Sequence, residues 1–407
     1  MSGAVPKLRF AGFEGAWETR PIKSRLEKII DYRGKAPPKA ETGIPLITAR
    51  NVRMGYIDFT TDEYIEASLF ETWMNRGKAR EGDVLFTTEA PLGNVCMFPT
   101  EGQFALGQRI ITLRADQAQL EGRFLYQFLL GEKGQNEVAF RSTGSTAKGI
   151  KSKVFVQIPF AAPSLPEQQK IAAFLGAVDA KLAGLARKEA ALVRFKTGLM
   201  QKLFSQTLRF TRDDGSAFPD WEERPLSSVL HEHKEKSQGD EPVFSVSVHK
   251  GLVDQIEHLG RSFSAADTGH YNRVRHGDVV YTKSPTGKFP MGIIKQSTAG
   301  RPVIVSPLYG VFTPETESLG FILNAYFESN VNTANYLSPL VQKGAKNTIA
   351  VTNSRFLEGL LKLPRDPEEQ QKIAAALSAL DAKINTVAAQ TQKIKAFKKG
   401  LLQQMFV

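Results

Sequence analysis

The sequence has little of what marks a secreted or membrane protein. Its 407 residues include one cysteine, Cys96, which cannot form an internal disulfide, so we expect a reducing compartment, the cytoplasm. No apolar run approaches the roughly 18 residues that a membrane-spanning helix needs, and residues 1–7 lack the apolar stretch of a secretory signal. Hydrophobic residues make up 42% and charged residues 23% of the chain, which is typical of a folded protein with two or three domains.

Motifs of nucleotide and cofactor chemistry are also missing. The chain has no GxxxxGKS/T phosphate loop, no GxGxxG turn and no Asn/Asp-Pro-Pro-Tyr/Phe motif of amino-methyltransferases. A single cysteine cannot supply a cysteine zinc cluster. We therefore predict a chain that is not itself an enzyme, with no catalytic residue, no metal and no bound cofactor.

Two short patterns of residues leave a metal site and a nuclease site open as alternatives. His231 and His233 could face one side of a strand and bind a metal, although the charged residues 234–236 that follow favour a solvated loop. Asp220 with Glu232 and Lys234 fits the loose nuclease pattern PD…ExK. Patterns this short arise easily by chance, and the matching stretch at residues 15–17 lacks this one.

An internal repeat is the most informative feature of the sequence. Residues 167–173, EQQKIAA, return as residues 369–375, and the match continues without a gap to Phe204 and Phe406, with about half of the positions identical. Weaker similarity opens each half, where Leu-Arg-Phe, Trp-Glu and Gly-Asp-Val recur in the same order. The chain is therefore built as a body, a repeat, a second body and a second repeat.

Each repeat predicts a long amphipathic helix. Every seventh residue is apolar over five heptads in both copies, which indicates a packed helical seam. The seam residues are Ile171, Val178, Leu185, Leu192 and Leu199 in one copy, and Ile373, Leu380, Val387, Ile394 and Leu401 in the other. Further apolar residues flank the seam, namely Leu175, Leu182, Phe195, Leu377, Ile384 and Phe397.

The helix starts are also repeated. Ser164 and Asp366 are each followed, three residues later, by a glutamate, and a proline lies in each first turn; this is the pattern of an N-cap with a capping glutamate.

Connectivity predicts the direction of the two helices. A helix of about 38 residues is about 57 Å long, whereas a body of about 160 residues has a radius of gyration of about 15 Å. The second body begins where the first helix ends and finishes where the second helix begins. Antiparallel packing brings those points together, so we predict an antiparallel pair.

The bodies predict an α/β fold. Short strands are expected at residues 44–47, 82–86, 110–113, 243–248, 279–281 and 303–305, and helices at 123–130 and 319–328. The predicted architecture is two globular domains with small sheets, joined by two long antiparallel coiled-coil helices. Its predicted segments are 1–163, 164–206, 207–365 and 366–407.

The charge distribution is compatible with a polyanionic partner, although the bulk charge of the two bodies does not by itself indicate one. The net charge is +11, of which residues 167–204 and 369–406 carry +4 each, whereas residues 205–368 carry −1. Basic and amide side chains in polar loops suit DNA phosphates and base edges. The candidate DNA contacts are Arg33, Lys35, Arg50, Asn51, Arg53, Thr87, Thr88, Lys148 and Lys151 in the first body, and Lys250, Lys283, Ser284, Thr286, Lys288, Lys343, Lys346 and Asn347 in the second.

These motifs resemble the specificity (S) subunits of type I restriction-modification systems. The Pro-x-Glu-Gln-Gln-Lys-Ile-Ala type helix starts at 166–172 and 367–374, the Asp-Ala-Lys cores and the Phe-Lys-x-Gly-Leu-x-Gln-x-x-Phe helix ends carry the resemblance. The Ile-Pro-Leu-Ile and Gly-Asp-Val-Leu-Phe strands resemble the family's target-recognition domains, and the match covers the whole chain.

The resemblance implies a division of labour. Each body would read one half of a split, double-stranded DNA target, and the helix pair would act as a spacer. Two methyltransferase (M) subunits would bring S-adenosylmethionine, and motor-nuclease (R) subunits would bring ATP and Mg²⁺. The alternatives are a structural adaptor whose bodies bind protein, and a self-contained nuclease.

Overall fold

The computed structural model describes residues 5–32, 36–60, 63–99, 101–145, 147–259, 268–343 and 349–407. Compactness groups the chain into two units. Unit 1 comprises residues 1–188 and 387–407, and unit 2 comprises residues 189–386. Each unit contains one body and part of both long helices. The boundaries between the units therefore differ from those of the four predicted segments, which stay a prediction. Among the described residues, no helix is long and apolar enough to cross a membrane.

Unit 1 contains a small α/β body. Its strands are β1 (Glu18–Pro21), β2 (Leu26–Asp31), β3 (Ile44–Ile47), β4 (Tyr64–Ile65), β5 (Val84–Thr87), β6 (Val95–Met97), β7 (Ala105–Leu106), β8 (Ile110–Ala115) and β9 (Pro159–Ala162). Its helices are α1 (Phe70–Trp73), α2 (Gly122–Leu130), α3 (Glu132–Arg141), α4 (Ser152–Phe155) and the first part of α5 (Leu165–Phe204). Short 3-10 turns lie at Ile22–Arg25, Ala67–Leu69 and Met74–Arg76.

An antiparallel sheet in the order β2-β8-β5-β6 forms the centre of this body. Successive residues of a strand point to opposite faces, and β5 uses both faces. Val84 and Phe86 pack in a core with α2, whereas Leu85 packs in a second core with β3. The strand is therefore apolar throughout. β3 pairs antiparallel with β4 and parallel with β7, and β1 pairs with β9.

Unit 2 repeats this plan. Its strands are β10 (Glu222–Pro225), β11 (Leu230–Glu232), β12 (Phe244–Ser247), β13 (Gly251–Asp254), β14 (Asn272–Val274), β15 (Val279–Thr282), β16 (Ile293–Gln296), β17 (Val303–Val305), β18 (Gly310–Pro314), β19 (Gln342–Lys343), β20 (Ile349–Ala350) and β21 (Leu360–Leu363). Its helices are α6 (Gln255–Leu259), α7 (Glu317–Phe327), α8 (Asn330–Leu337), α9 (Asn353–Glu358) and the first part of α10 (Pro367–Met405). Short 3-10 turns lie at Leu226–Ser228 and Ser338–Leu340.

The central sheet of unit 2 has the order β11-β18-β15-β16, which matches β2-β8-β5-β6 strand for strand. β15 again serves two cores, because Val279 and Tyr281 pack with α7 whereas Val280 packs with β17. Strands β10 and β21 pair as β1 and β9 do. Further two-stranded pairs are β12–β13, β14–β17 and β19–β20. The predicted α/β class is confirmed.

The long helices pack antiparallel within each unit, as predicted. In unit 1, Ile171 near the start of α5 shares a core with Leu401 near the end of α10. Eight residues further along α5, Asp179 pairs with Lys398, which precedes Leu401. Numbers that rise along one helix therefore fall along the other.

Unit 2 shows the same arrangement with the helix roles exchanged. Ile373 near the start of α10 shares a core with Met200 and Leu203 near the end of α5. Asp381, further along α10, pairs with Lys196, which precedes them on α5. Both units thus show the antiparallel direction independently.

The ten seam residues are buried or half-buried, but the prediction for two flanking residues is wrong. Phe195 and Phe397 are 61% and 52% exposed. The residues four positions after the seam residues are buried or half-buried, as Leu175 after Ile171. The two phenylalanines lie three residues after a seam residue, which places them on the other edge of the apolar stripe.

Candidate nucleic-acid interface

The Glu-Gln-Gln motif at the start of α5 fastens the body of unit 1 to the long helix. Glu167, 1% exposed, accepts hydrogen bonds from Nε and Nη2 of Arg9 at 2.8 Å. Gln168 accepts a bond from the backbone N–H of Glu121, the N-cap of α2, and donates to the carbonyls of Gln119 and Pro163. The motif is therefore a structural joint that orients the body.

Unit 2 uses the same joint. Glu369 accepts hydrogen bonds from Arg209 at 3.2–3.3 Å, and Gln370 donates to the carbonyl of Pro364. Gln370 also accepts from the hydroxyl of Thr316, the N-cap of α7. The interpretation of both glutamates as capping residues is wrong, because each carboxylate binds an arginine far away in sequence. Asp366 does act as a cap, accepting a bond from the N–H of Glu368 at 2.9 Å.

Two of the candidate DNA contacts in unit 1 prove to be structural. Asn51 is 2% exposed; its side chain accepts from Thr48 and donates to the carbonyl of Asp58, which closes the loop after β3. The hydroxyl of Thr87 is buried and accepts from the N–H of Asn94. Both side chains are used for hydrogen bonds within their own loops. The prediction that Asn51 and Thr87 contact DNA is therefore wrong.

Among the other described candidates of unit 1, the basic residues lie at or near the surface, whereas Thr88 is buried. Arg50 has a 73% exposed side chain, 3.7 Å from Glu63. Arg53 is paired with Asp58 at 3.2 Å. Lys148 and Lys151 are exposed. Thr88 is 7% exposed, and its backbone makes two hydrogen bonds: its carbonyl accepts from the N–H of Ile150, and its N–H donates to the carbonyl of Arg109.

Four of the candidates of unit 2 lie on the loop that follows β15. Ser284, Thr286 and Lys288 are exposed there, and Lys250 is exposed on the β12–β13 turn. Lys283 is half-buried, and desolvation lowers its pKa, opposed by the nearby charge of Glu232. Arg33, Lys35, Lys346 and Asn347 lie outside the described residues, as does the side chain of Lys343 at the end of β19.

Two adjoining cavities in unit 1 contain residues that the sequence analysis missed. One, of about 470 Å³, is lined by Glu89 and Lys151, and the other, of about 220 Å³, by Lys39 and Arg50. Gln108 and Arg109 line both cavities. The available signal was their position: a polar, basic dipeptide immediately before the strand expected at 110–113.

The residues of the metal and nuclease patterns bind different partners. His233 Nε2 lies 2.9 Å from Asp278, Glu232 accepts from Asn353, and Asp220 accepts from Arg209. Among the residues that the structure describes, no three His, Cys, Asp or Glu side chains are grouped so that they could hold a metal ion. The histidine therefore serves to hold the buried Asp278 of the Gly-Asp-Val turn.

Comparisons with known proteins agree with this geometry. The model of the type I restriction modification DNA specificity domain matches residues 23–193 and 220–396. A Methanocaldococcus jannaschii protein named as the MjaX type I restriction enzyme specificity subunit is 23% identical over 95% of this chain and 92% of its own.

Two solved structures share the fold. The S subunit of a type I restriction-modification system from M. genitalium matches with a TM-score of 0.62 and 15% identity over 99% of each chain. A chain from a study of complex assembly and conformational transition in the type I R-M system matches with a TM-score of 0.52 and 17% identity, over 96% of this chain and 97% of its own. Duplicated α/β bodies on an antiparallel helix pair define the architecture of a two-domain specificity protein. This chain belongs to the type I restriction-modification DNA specificity family.

Proposed function

We propose that this chain is the DNA-recognition subunit of a type I restriction-modification complex, in which each body reads one half of a split DNA target. The observation that carries the proposal is the combination of two matching sheet topologies with two different loop sets. Arg50 and Lys151 project from loops of one body, and Lys250 and Lys288 from loops of the other. A constant frame with divergent loops suits two readers with different targets.

The helix pair sets the spacing between the two half-sites. The Glu-Gln-Gln joints support this role, because each fixes a body at the start of a long helix through buried polar contacts. The distance between recognition surfaces then depends on helix length.

Methyl transfer and cleavage belong to partner subunits in this proposal. Two methyltransferase subunits supply S-adenosylmethionine chemistry, and motor-nuclease subunits supply ATP-driven translocation and Mg²⁺-dependent cutting. Phe195 and Phe397 support a pair of identical partners, since they are equivalent in the repeat and both are exposed. One surface presented twice suits two copies of one partner.

Methylation mapping of DNA from cells that express the complex tests this function. The expected result is a split, asymmetric site that is methylated only when this chain is present. Exchanging residues 1–163 for those of a relative should change one half-site and keep the other.

Two results would contradict the proposal. Methylation or cutting by the purified chain alone, with S-adenosylmethionine or Mg²⁺ added, would make it an enzyme. Binding of the assembled complex to DNA without base preference or salt dependence would favour the structural adaptor.

A further inference from the structure

We propose that Gln108 and Arg109, on the turn between β7 and β8, are the central base-reading residues of unit 1. The proposal rests on the proposed function of the chain as a DNA reader and assigns that function to particular side chains.

Gln108 and Arg109 lie between two cavities of unit 1. The cavities of about 470 and 220 Å³ share Gln108 and Arg109 in their linings. Side chains from separate parts of the body, among them Lys39, Arg50, Glu63, Glu89 and Lys151, line the remaining walls. The dipeptide therefore lies where the two hollows adjoin, at the middle of a surface built from divergent loops.

The linings of the two cavities are rich in charged side chains. The lining residues include four basic side chains, those of Lys39, Arg50, Arg109 and Lys151, and two carboxylates. Basic side chains suit phosphates. A carboxylate repels phosphate but can accept a hydrogen bond from the N4 amino group of cytosine. Glu89, which is 52% exposed, therefore marks its surroundings as a place for base edges.

The backbone of Arg109 has an unusual conformation. Arg109 has a φ of +66°, in the left-handed region that residues with a Cβ rarely adopt. Its carbonyl accepts a bond from the N–H of Thr88 at 2.9 Å, which extends the β5–β8 pairing by one residue and holds this conformation. Unfavourable conformations that the surrounding structure maintains are concentrated at functional sites.

The side chain of Arg109 is both positioned and accessible. Arg109 Nε lies 3.1 Å from Glu89, and the arginine side chain is still 54% exposed. It is thus oriented before DNA arrives yet reachable from solvent. An arginine can bind guanine O6 and N7 together, and a glutamine can bind adenine N6 and N7 together. Neighbouring side chains of these two types can read neighbouring base pairs.

Unit 2 offers a matching position with different chemistry. Val84, in the Gly-Asp-Val turn of unit 1, pairs with a residue of β8, and Arg109 lies four residues before that residue. Val279, in the equivalent turn of unit 2, pairs with a residue of β18, and Leu308 lies four residues before that residue. Leu308 is 73% exposed. An apolar side chain can contact the methyl group of thymine. A position that changes from guanidinium to apolar between two bodies is expected of a residue that selects bases.

The test replaces Arg109 by asparagine in the complete complex with its methyltransferase subunits. Asparagine tolerates the left-handed backbone, so R109N removes the guanidinium without adding strain. The matched control is R20N, because Arg20 is 47% exposed and paired with Glu18 at 2.6 Å but lines neither cavity. Selection of bound sites from a random DNA library measures base preference in both half-sites.

The expected result for R109N is a 10- to 100-fold loss of preference at one base pair of one half-site, with the other half-site unchanged as an internal folding control. R20N should select the wild-type site. A second variant, R109K, keeps the charge but loses the planar, two-pronged donor, so it should also relax that base pair.

Three outcomes would overturn the proposal. They are unchanged preference in R109N, weaker binding without altered preference, which indicates a phosphate contact, and an equal effect of R20N. Failure of the wild-type complex to select any split site would instead contradict the proposed function.

Discussion

Asp179 and Lys398 form a 2.6 Å ion pair across 219 residues of chain. The equivalent residues of the repeat, Asp381 and Lys196, form the reciprocal pair at 2.8 Å. In both pairs the lysine is the more buried partner, with about a tenth of its side chain exposed. The same lysine–aspartate ion pair therefore links the two helices in each unit. The lysine lies on α10 in unit 1 and on α5 in unit 2.

Replacing Asp179 by asparagine should destabilise the chain by about 2 kcal/mol, because a mostly buried lysine then loses its counter-charge. Urea unfolding of the full chain measures the change. The control is Glu71→Gln, which breaks the Lys78–Glu71 pair between two well exposed side chains and should cost less than about 0.5 kcal/mol. Equal losses in the two variants would show that burial of Lys398 does not matter.

The Glu-Gln-Gln joint can be tested with adjacent residues of the same type. Gln168 is fully buried and makes three hydrogen bonds, whereas Gln169 is exposed. Gln168→Ala leaves the buried polar groups around it unpaired and should cost about 2–3 kcal/mol, whereas Gln169→Ala should be nearly neutral. Thermal unfolding followed by circular dichroism compares the two variants. Similar melting temperatures would contradict a structural role for Gln168 in holding the body on the helix.

The pair of exposed phenylalanines predicts the stoichiometry of partner binding. Phe195→Ala or Phe397→Ala alone should reduce the methyltransferase content of the co-expressed complex from two copies to one, and the double variant should bind none. Native mass spectrometry counts the subunits. Leu360→Ala removes another side chain of similar exposure outside the helices and should leave two copies bound. A double variant that retains both copies would place the docking surface elsewhere.

Lengthening both helices tests the spacer. Seven residues inserted into α5 and α10 preserve the apolar seam and add about 10 Å, comparable to three base pairs at about 3.4 Å each. DNA also turns by roughly 34° per base pair, so the complex should accept a gap one or two base pairs longer at reduced affinity. Methylation mapping reads the gap, and both half-site sequences should be unchanged. An unaltered gap with full activity would mean that the helices do not measure DNA.

Periodic features were predictable from the sequence because they follow from local geometry. The heptad residues, the antiparallel direction and all six expected strands agree with the structure. The exposure of Phe195 was not foreseen, because the sequence favours an apolar phenylalanine over its neighbour Lys196 for the packed side of the helix. Lys196 is buried instead, since Asp381 on the other helix supplies its counter-charge.

Features that depend on distant residues could not be predicted. Glu167 fits a capping pattern locally, and only the approach of Arg9, 158 residues away, gives it another role. Asn51 has the side chain of an adenine reader, but its amide forms hydrogen bonds within its own loop. Arg109 was missed because its φ and its neighbour Glu89 emerge only when β5 and β8 pair.

The division of the chain into units has a consequence for the order in which the protein is completed during synthesis. Unit 2 is one continuous stretch, whereas unit 1 also needs residues 387–407. Phe406 packs against Phe124 with ring centroids 5.0 Å apart, and Leu401 and Met405 complete the same core. At about 5–20 residues per second, a ribosome takes about 10–40 s to make the intervening residues. The body that is translated first is therefore finished last, and until then it exposes an apolar surface to chaperones and proteases.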